Sequence, residues 1–373
     1  MSKVKTDLKI DLNNLDKSDW KTYRFDEIAK NISERVDPNN TDLTVYIGLE
    51  HIDSESLHIK RNGTPDDVNG TKLKFYKGDI IFGRRRAYQR KAGIATWDGF
   101  CSAHALVLRA NPDVIDPELF PFFLHSDLFM NRAVDISVGS LSPTINWGTL
   151  KHQEFMLPPY AEQKNFAKLL SASSLLLERQ SEAIYSLKIF KQSVLKESFD
   201  KNNCDKIRIS DISDSLDNKR VPIKKGDREE GSYPYYGASG IVDNVADYIF
   251  DEPILLISED GENLNSRKLP IAYEVDEKCW VNNHSHVLRI TGACRYLVAE
   301  YFNFHDVSDY ITGGTRPKIT KGMLSDMPIY LPKEQLLDKV KNKLRSTDAS
   351  ISKAKGNSGA TSEFIKTITN KVF

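Results

Sequence analysis

Val138–Pro158 reads VGSLSPTINWGTLKHQEFMLP, and Thr312–Pro332 reads TGGTRPKITKGMLSDMPIYLP. At an offset of 174 residues (313 − 139) the two agree without a gap at Gly139/Gly313, Pro143/Pro317, Ile145/Ile319, Gly148/Gly322, Leu150/Leu324, Leu157/Leu331 and Pro158/Pro332. Coincidences weighted toward glycine and proline mark a duplicated unit, and a repeat of this length decides the architecture before any single element does.

Working outward, FCSAHALVLR (Phe100–Arg109) is matched by WVNNHSHVLR (Trp280–Arg289), with His104 and His284 offset by 180 (284 − 104). A weaker echo joins YRFDEI (Tyr23–Ile28) to IRISDI (Ile207–Ile212) near the start of each half. Asp79–Phe82, His104–Leu108, Pro253–Ser258 and His286–Ile290 are short and rich in branched or aromatic residues, so they read as strands. The patterns between Asp116 and Val134 and between Gly292 and Tyr310 read as short helices. Each head is therefore expected to be mixed α/β, and His104 and His284 to be satisfied inner residues.

Each repeat closes on Leu-Pro, and a helix follows. Pro158 and Pro159 suit a first helical turn, where the missing amide would have no partner anyway. The segment AEQKNFAKLLSASSLLLERQSEAIYSLKIFKQSVLKESF after Tyr160 contains no proline or glycine. Within it Leu169, Ser173, Leu176, Gln180, Ala183, Leu187, Phe190 and Val194 step by three and four, the spacing of a seam that packs on another helix. The expected partner starts at Lys333 with a similar Glu-Gln and ends FIKTITNKVF, where Phe364, Ile368 and Phe373 echo Phe190, Val194 and Phe199. Gly356-Asn-Ser-Gly359 interrupts it and is expected to kink, fray or break it. The division that results is head (1–158), helix (159–200), head (201–332), helix (333–373).

Composition limits what such a chain does. Its 373 residues, 40% hydrophobic, suffice for two domains with cores. Lys plus Arg and Asp plus Glu are both 52, which argues against a binder that relies on bulk attraction to phosphate, so any DNA binding must come from local patches or from a charged partner. Cys101, Cys204, Cys279 and Cys294 form no CxxC pair and read as reduced thiols. The start, MSKVKTDLKIDLNNLDKSDW, lacks a signal-peptide core, and no apolar run reaches membrane-spanning length, so a soluble cytoplasmic protein without membrane partners is expected.

Head, helix, head, helix is the layout of the specificity subunits of type I restriction-modification enzymes, and local motifs fit it. ILLISEDGENLN (Ile254–Asn265) followed by WVNNHSHVLR resembles the middle of that family's target recognition domains, TGGTRPKITKGMLSDMPIYLP resembles their end, and LPPYAEQKNF (Leu157–Phe166) resembles the start of the family's central conserved helix. The resemblance covers all but roughly the first twenty residues. It implies a mixed α/β (α+β) fold with a pseudo-twofold internal repeat, in which two target recognition domains are separated by long antiparallel helices, a coiled-coil-like spacer. It further implies that each head reads one half of a bipartite double-stranded DNA target. Two methyltransferase subunits would dock on the helices, restriction and motor subunits would join the full complex, and S-adenosylmethionine, Mg and ATP would sit on those partners, with no cofactor on this chain. About 40 helical residues span roughly 60 Å, a little under two turns of duplex at about 3.4 Å per base pair, which suits half-sites presented to one face.

Contacts are expected in four loops. After the first strand, Arg84, Arg85, Arg86, Tyr88, Gln89, Arg90 and Lys91 gather cations able to clamp phosphate or take guanine O6 and N7; a solvated basic loop is the plain alternative. At the equivalent place in the second half the loop is acidic first and basic later, and duplicated heads that read different half-sites should diverge there. Asn263, Asn265, Arg267 and Lys268 are its candidate contacts, while Glu259, Asp260 and Glu262 either orient the loop or accept from cytosine N4. Ser142, Thr144 and Asn146, with Thr315, Arg316 and Lys318, lie in Gly/Pro loops that permit close backbone approach to phosphate or are simply turns. Tyr233, Tyr235 and Tyr236 read as core residues more readily than as base-stacking ones.

No catalytic constellation accompanies these loops. Leu157-Pro-Pro-Tyr160 misses the Asn or Asp with which an adenine methyltransferase grips the flipped base. GxxxxGK[ST] and HExxH are absent, and His284 and His286 supply no third metal ligand. A non-DNA scaffold, and a self-contained methyltransferase or nuclease, are the competing readings.

Overall fold

Ile80–Gly83 and Ile254–Ser258 are buried along their whole length, which explains why both are unbroken apolar runs: each is an inner strand covered on both faces. Alternate side chains then serve two cores. Ile80 and Phe82 join Leu106, Leu108, Phe123 and Phe129 on one face, while Ile81 and Val107 join Ile47, Phe75 and Cys101 on the other. In the second half Leu255, Ile257 and Leu288 face Leu297 and Phe302, while Ile254, Leu256 and Val287 face Tyr236, Phe250 and Val281.

The structure, a computed structural model, describes residues 15–291 and 293–373; most of the stretch read above for a signal peptide, and Gly292, lie outside it. The chain forms two units, Met1–Glu182 with Lys355–Phe373, and Ala183–Ala354, so each holds one head and part of each long helix. In the first unit an antiparallel sheet has the order Ala29–Ile32, Ala105–Ala110, Ile80–Gly83, Ala92–Ile94. A second sheet joins Arg35–Val36, Lys72–Phe75, Gly99–Cys101 and Tyr46–Ile47, the last pair parallel. The second unit repeats the first sheet's order in Ser213–Ser215, Ser285–Ile290, Ile254–Ser258, Ala272–Val275, beside a three-stranded sheet that again ends on a parallel pair, Glu230–Gly237 with Trp280–Val281. The Leu-Pro joints are the ends of two-stranded ribbons, Lys21–Arg24 with Glu154–Leu157 and Cys204–Arg208 with Pro328–Pro332. The expected short helices are Phe120–His125, Asp127–Asp135 and Arg295–Phe304.

Two readings of histidine need correcting. His104 is exposed, because its strand starts at Ala105, and His284 precedes Ser285–Ile290 and keeps 36% of its side chain exposed. The buried histidine is His286, with Nδ1 2.7 Å from Asp217 and Nε2 2.8 Å from the Ile319 carbonyl. Tyr235 and Tyr236 are core residues as expected, and Tyr233 packs at a tilt against Tyr248 (ring centroids 5.0 Å).

The central helix (Tyr160–Ser198) and the C-terminal helix (Glu334–Val372) have 39 residues each. In the first unit Phe166, Ala167 and Leu170 near the start of one pack with Ile368 and Val372 near the end of the other. In the second unit Val194, Leu195 and Phe199 near the end of one pack with Leu337, Val340 and Leu344 near the start of the other, so the pairing is antiparallel. Of the expected seam, Val194 and Ile368 are buried and Leu169 and Leu187 partly buried, but Leu176, Phe190 and Phe364 are 51%, 47% and 41% exposed. The buried stripe in the first unit passes through Leu170 and Ser174, one position beyond Leu169 and Ser173. A seam drawn with a 3.5-residue period drifts by about 20° per heptad on a straight helix. The echo between helix ends holds: Phe373 packs on Phe123 in one unit (ring centroids 5.1 Å) and Phe199 on Tyr301 in the other (5.5 Å). Gln163, buried, ties the central helix to the first head by accepting from the Asp116 amide and donating to the Val114 and Pro158 carbonyls, whereas its echo Gln335 is exposed.

The expected break at Gly356–Gly359 does not occur; the helix runs through it. Each glycine costs about 1 kcal/mol against alanine, and packing to either side, through Leu344 and Ile351 in one unit and Ile368 and Val372 in the other, offsets that cost. Nothing lies within 4 Å of where a Cβ would stand on either glycine. Gly356→Ala with Gly359→Ala is therefore expected to stabilise the first unit by about 2 kcal/mol in all, read as a higher denaturation midpoint. A lower midpoint would show that the glycines meet a backbone requirement absent from this account.

Candidate nucleic-acid interface

In both heads the loop after the inner strand is zipped to the Gly/Pro loop by the same backbone bonds. In the first, Ile145 N–H donates to Arg84 O (2.9 Å), Arg86 N–H to Pro143 O (2.7 Å), and Arg85 bridges Thr144. In the second, Ile319 N–H donates to Glu259 O (2.8 Å), Gly261 N–H to Pro317 O (3.0 Å), and Asp260 bridges Lys318. Arg84, Arg85 and Arg86 thus correspond to Glu259, Asp260 and Gly261, and Ser142 and Thr144 to Arg316 and Lys318. Arg86 even takes the left-handed conformation (φ 55°) for which its counterpart is a glycine (φ 108°). The backbone is repeated and the charge is reversed.

The two zips therefore differ electrostatically. Glu259, nearly buried, is bonded by Arg220 and by Lys318 (2.8 Å), and Asp260 by Arg316 (2.9 Å) and His284 (3.1 Å). Burial works against the Glu259 charge, but the hydrogen bonds from Lys318 and Arg220 outweigh it and hold the carboxyl below its ordinary range. Asp217 is likewise held low, burial being outweighed by bonds from His286 and the Val287 amide. Asp217, Glu259 and His286 come as close to a metal-ligand set as any group among the described residues, but Arg220 bonds Glu259 and lies 3.5 Å from Asp217, so a cation already stands between the carboxylates. In the first head no carboxylate among the described residues bonds Arg84, Arg85 or Arg86, and the Arg84 Nε is buried without a hydrogen bond. His104, though exposed, lies beside them, its imidazole held below its usual pKa by partial desolvation and then by the Arg85 and Arg84 charges.

The remaining expected contacts fall into two groups. Arg90 and Arg267, both read above as candidate contacts, have their guanidiniums engaged inside the protein. Both are left-handed (φ 51° and 50°), and both guanidiniums cap the end of a helix: Arg90 Nη2 donates to His125 O (2.8 Å) and pairs with Asp127, while Arg267 Nη2 donates to His305 O (3.0 Å) and to Phe302 O. Lys91 is tied to Leu49 O (2.6 Å), and Asn263 brackets its loop through Leu269 and Pro270. Sequence reasoning missed this capping role, although the Arg-Lys dipeptide recurring at 90–91 and 267–268 is its trace. Outward-facing residues are Arg86, Tyr88 and Asn146 in the first head and Asn265, Lys268, Thr315, Arg316 and Lys318 in the second. Arg85, Arg86, Gln89, Lys91 and Ser142 share one open depression, so the structure brings the two predicted loops of the first head together.

Similarity to known proteins covers the same ground. A putative type I restriction enzyme specificity subunit of Haemophilus influenzae is 32% identical over 128 residues, 33% of this chain and 32% of that protein. The EcoDI specificity subunit of Escherichia coli is 26% identical over 188 residues, 49% of this chain and 42% of that protein. The matched stretches thus span less than half the length of either relative. Among solved structures, the type I restriction-modification S subunit from M. genitalium matches with a TM-score of 0.66 at 16% identity, covering 96% of this chain and 98% of that one. A chain solved in work on complex assembly and conformational transition of the type I R-M system matches at 0.56 and 18%, covering 95% and 97%. At such identities these two likenesses speak for the fold alone. The family model described as the type I restriction modification DNA specificity domain matches residues 17–184 and again 201–345, and the chain belongs to that family.

Proposed function

We propose that this chain is the non-catalytic, sequence-reading subunit of a cytoplasmic type I restriction-modification complex. Each head reads one half of a bipartite duplex, and two methyltransferase subunits, with restriction subunits beyond them, assemble on the helices. The observation that carries the reading is the repeated zip: a shared backbone frame displays three arginines in one head and an acid-base lattice in the other, as two readers of different half-sites require. Within it, Arg84, Arg85, Arg86, Tyr88, Gln89, Ser142, Thr144 and Asn146 face one half-site, and Asn265, Lys268, Thr315, Arg316 and Lys318 the other. Tyr185, Ile189 and Phe190, exposed on the central helix of the second unit, and Leu175 and Leu176 on that of the first, give a modification subunit apolar surface to bury.

Methylation assays test this directly. Sequence-specific methylation is expected only when a modification subunit and S-adenosylmethionine are added to the purified chain. Methylation by the chain alone would sink the proposal in favour of a self-contained enzyme, and equal affinity for all duplexes at moderate salt would favour a scaffold.

A further inference from the structure

The Gly/Pro loop of the first head is a closed hairpin. Val138 and Thr144 exchange both backbone hydrogen bonds (3.1 and 2.9 Å), and Gly139 supplies the left-handed turn (φ 107°) that the short return needs. At the tip stands Leu141, 92% exposed. The Arg85–Thr144 bridge and the bond from the Arg86 amide to Pro143 fix the base of this loop, so the leucine is carried at the tip of a hairpin braced against the arginine loop, and its neighbour Ser142 lines one depression with Arg85 and Arg86. The second head closes the same hairpin through Thr312 and Lys318 (2.8 Å in both directions) and puts Thr315 in the place of Leu141.

We propose that Leu141 packs on the C5-methyl group of a thymine in the first half-site, which makes it a specificity-determining residue. This rests on the DNA-reading function proposed above. A lone exposed leucine is ordinary on a protein surface; one at the apex of a braced loop, beside guanidiniums with no carboxylate partner, is placed where binding expels water. A duplex offers an apolar side chain two surfaces. Base faces are reached only by opening a stacked step, whereas thymine methyls line the major groove and are met without deforming the helix. No second large apolar side chain stands at the tip to share the cost of opening a step, since Val138 lies at the foot of the hairpin. Arg85 and Arg86 carry the chemistry that reads guanine in the same groove. Thr315 lacks the apolar reach, so the second half-site should show no such dependence.

The test uses the full-length chain and its own selected bipartite duplex, with each thymine of the first half-site replaced in turn by uracil, which removes only the methyl group. One position is expected to lose about fourfold in affinity, the worth of one buried methyl. Leu141→Ala, a change at an exposed tip that leaves the fold intact, should lose about as much on the thymine duplex and be indifferent to uracil. The proposal is overturned by a first half-site without an A·T pair, by uracil being tolerated at every position, or by an undiminished uracil penalty in Leu141→Ala. A Leu141-dependent rise in 2-aminopurine fluorescence would replace it with a wedge between bases. Failure to prefer any bipartite duplex over scrambled competitor, seen before uracil is introduced, would overturn the DNA-reading function and this inference together.

Discussion

Replacing Arg84, Arg85 and Arg86 together by alanine is expected to weaken binding of the bipartite duplex by about two to three orders of magnitude, from roughly 1 to 3 kcal/mol for each base contact and less for each phosphate contact. The slope of log affinity against log salt should fall by up to about 3, one for each phosphate charge no longer neutralised. The reason is structural: no carboxylate among the described residues is bonded to these three guanidiniums, and Glu50, which lines the same depression as Arg85 and Arg86, is not paired with them, so phosphate has no ion pair to displace. Arg316 and Lys318 are in the opposite position, since DNA must displace Asp260 and Glu259 to claim them. Arg316→Ala should therefore move the salt slope less per charge than any change in the first cluster. Filter binding across a salt series reads both, and a triple variant with unchanged affinity and slope would show that the first half-site is held elsewhere.

Lys191→Met is expected to destabilise the second unit by about 3 kcal/mol, the cost of leaving a largely buried carboxylate without its partner. Lys191 leaves the central helix to meet Glu300 of the head (2.9 Å) and Asp348 of the C-terminal helix (2.8 Å), and Tyr296 donates to the same aspartate. Burial works against the ammonium, yet its bonds to Asp348 and Glu300 hold its pKa above the ordinary lysine value. Burial pushes Glu300 the other way, above the usual carboxyl range even with Lys191 beside it. Removing the cation would therefore leave Glu300 to protonate or unfold the site. Chemical denaturation followed by tryptophan fluorescence should show the loss, and adding Glu300→Gln should recover part of it. A Lys191→Met variant as stable as the parent would mean that the triad is neutral against an apolar contact, as some buried ion pairs are.

How much of this was legible in the sequence depends on what sets each feature. Strand runs, Leu-Pro joints and the order of elements were readable because local propensity and burial agree there, as at Ile254–Ser258. The glycine break was misread, and the rotation of the seam in part, because tertiary packing, not local preference, sets helix rotation and continuity. The loops that the proposed interface uses, and the difference in charge between the two heads, were visible in the sequence. Which cations stay free was not, because Arg84 and Arg90 lie in one basic run and are separated only by where a helix terminus meets Arg90. The correspondence of Arg85 with Asp260 likewise rests on a hairpin contact between segments far apart in the chain.

Selection of bound sequences from a random duplex pool, run in parallel with the parent chain and the Arg84→Ala, Arg85→Ala, Arg86→Ala variant in the presence of a modification subunit, tests the two-reader account most directly. The parent is expected to return a split motif with two fixed blocks around an unspecified spacer, and the variant to lose one block while keeping the other. A single continuous motif, or erosion of both blocks together, would contradict the account.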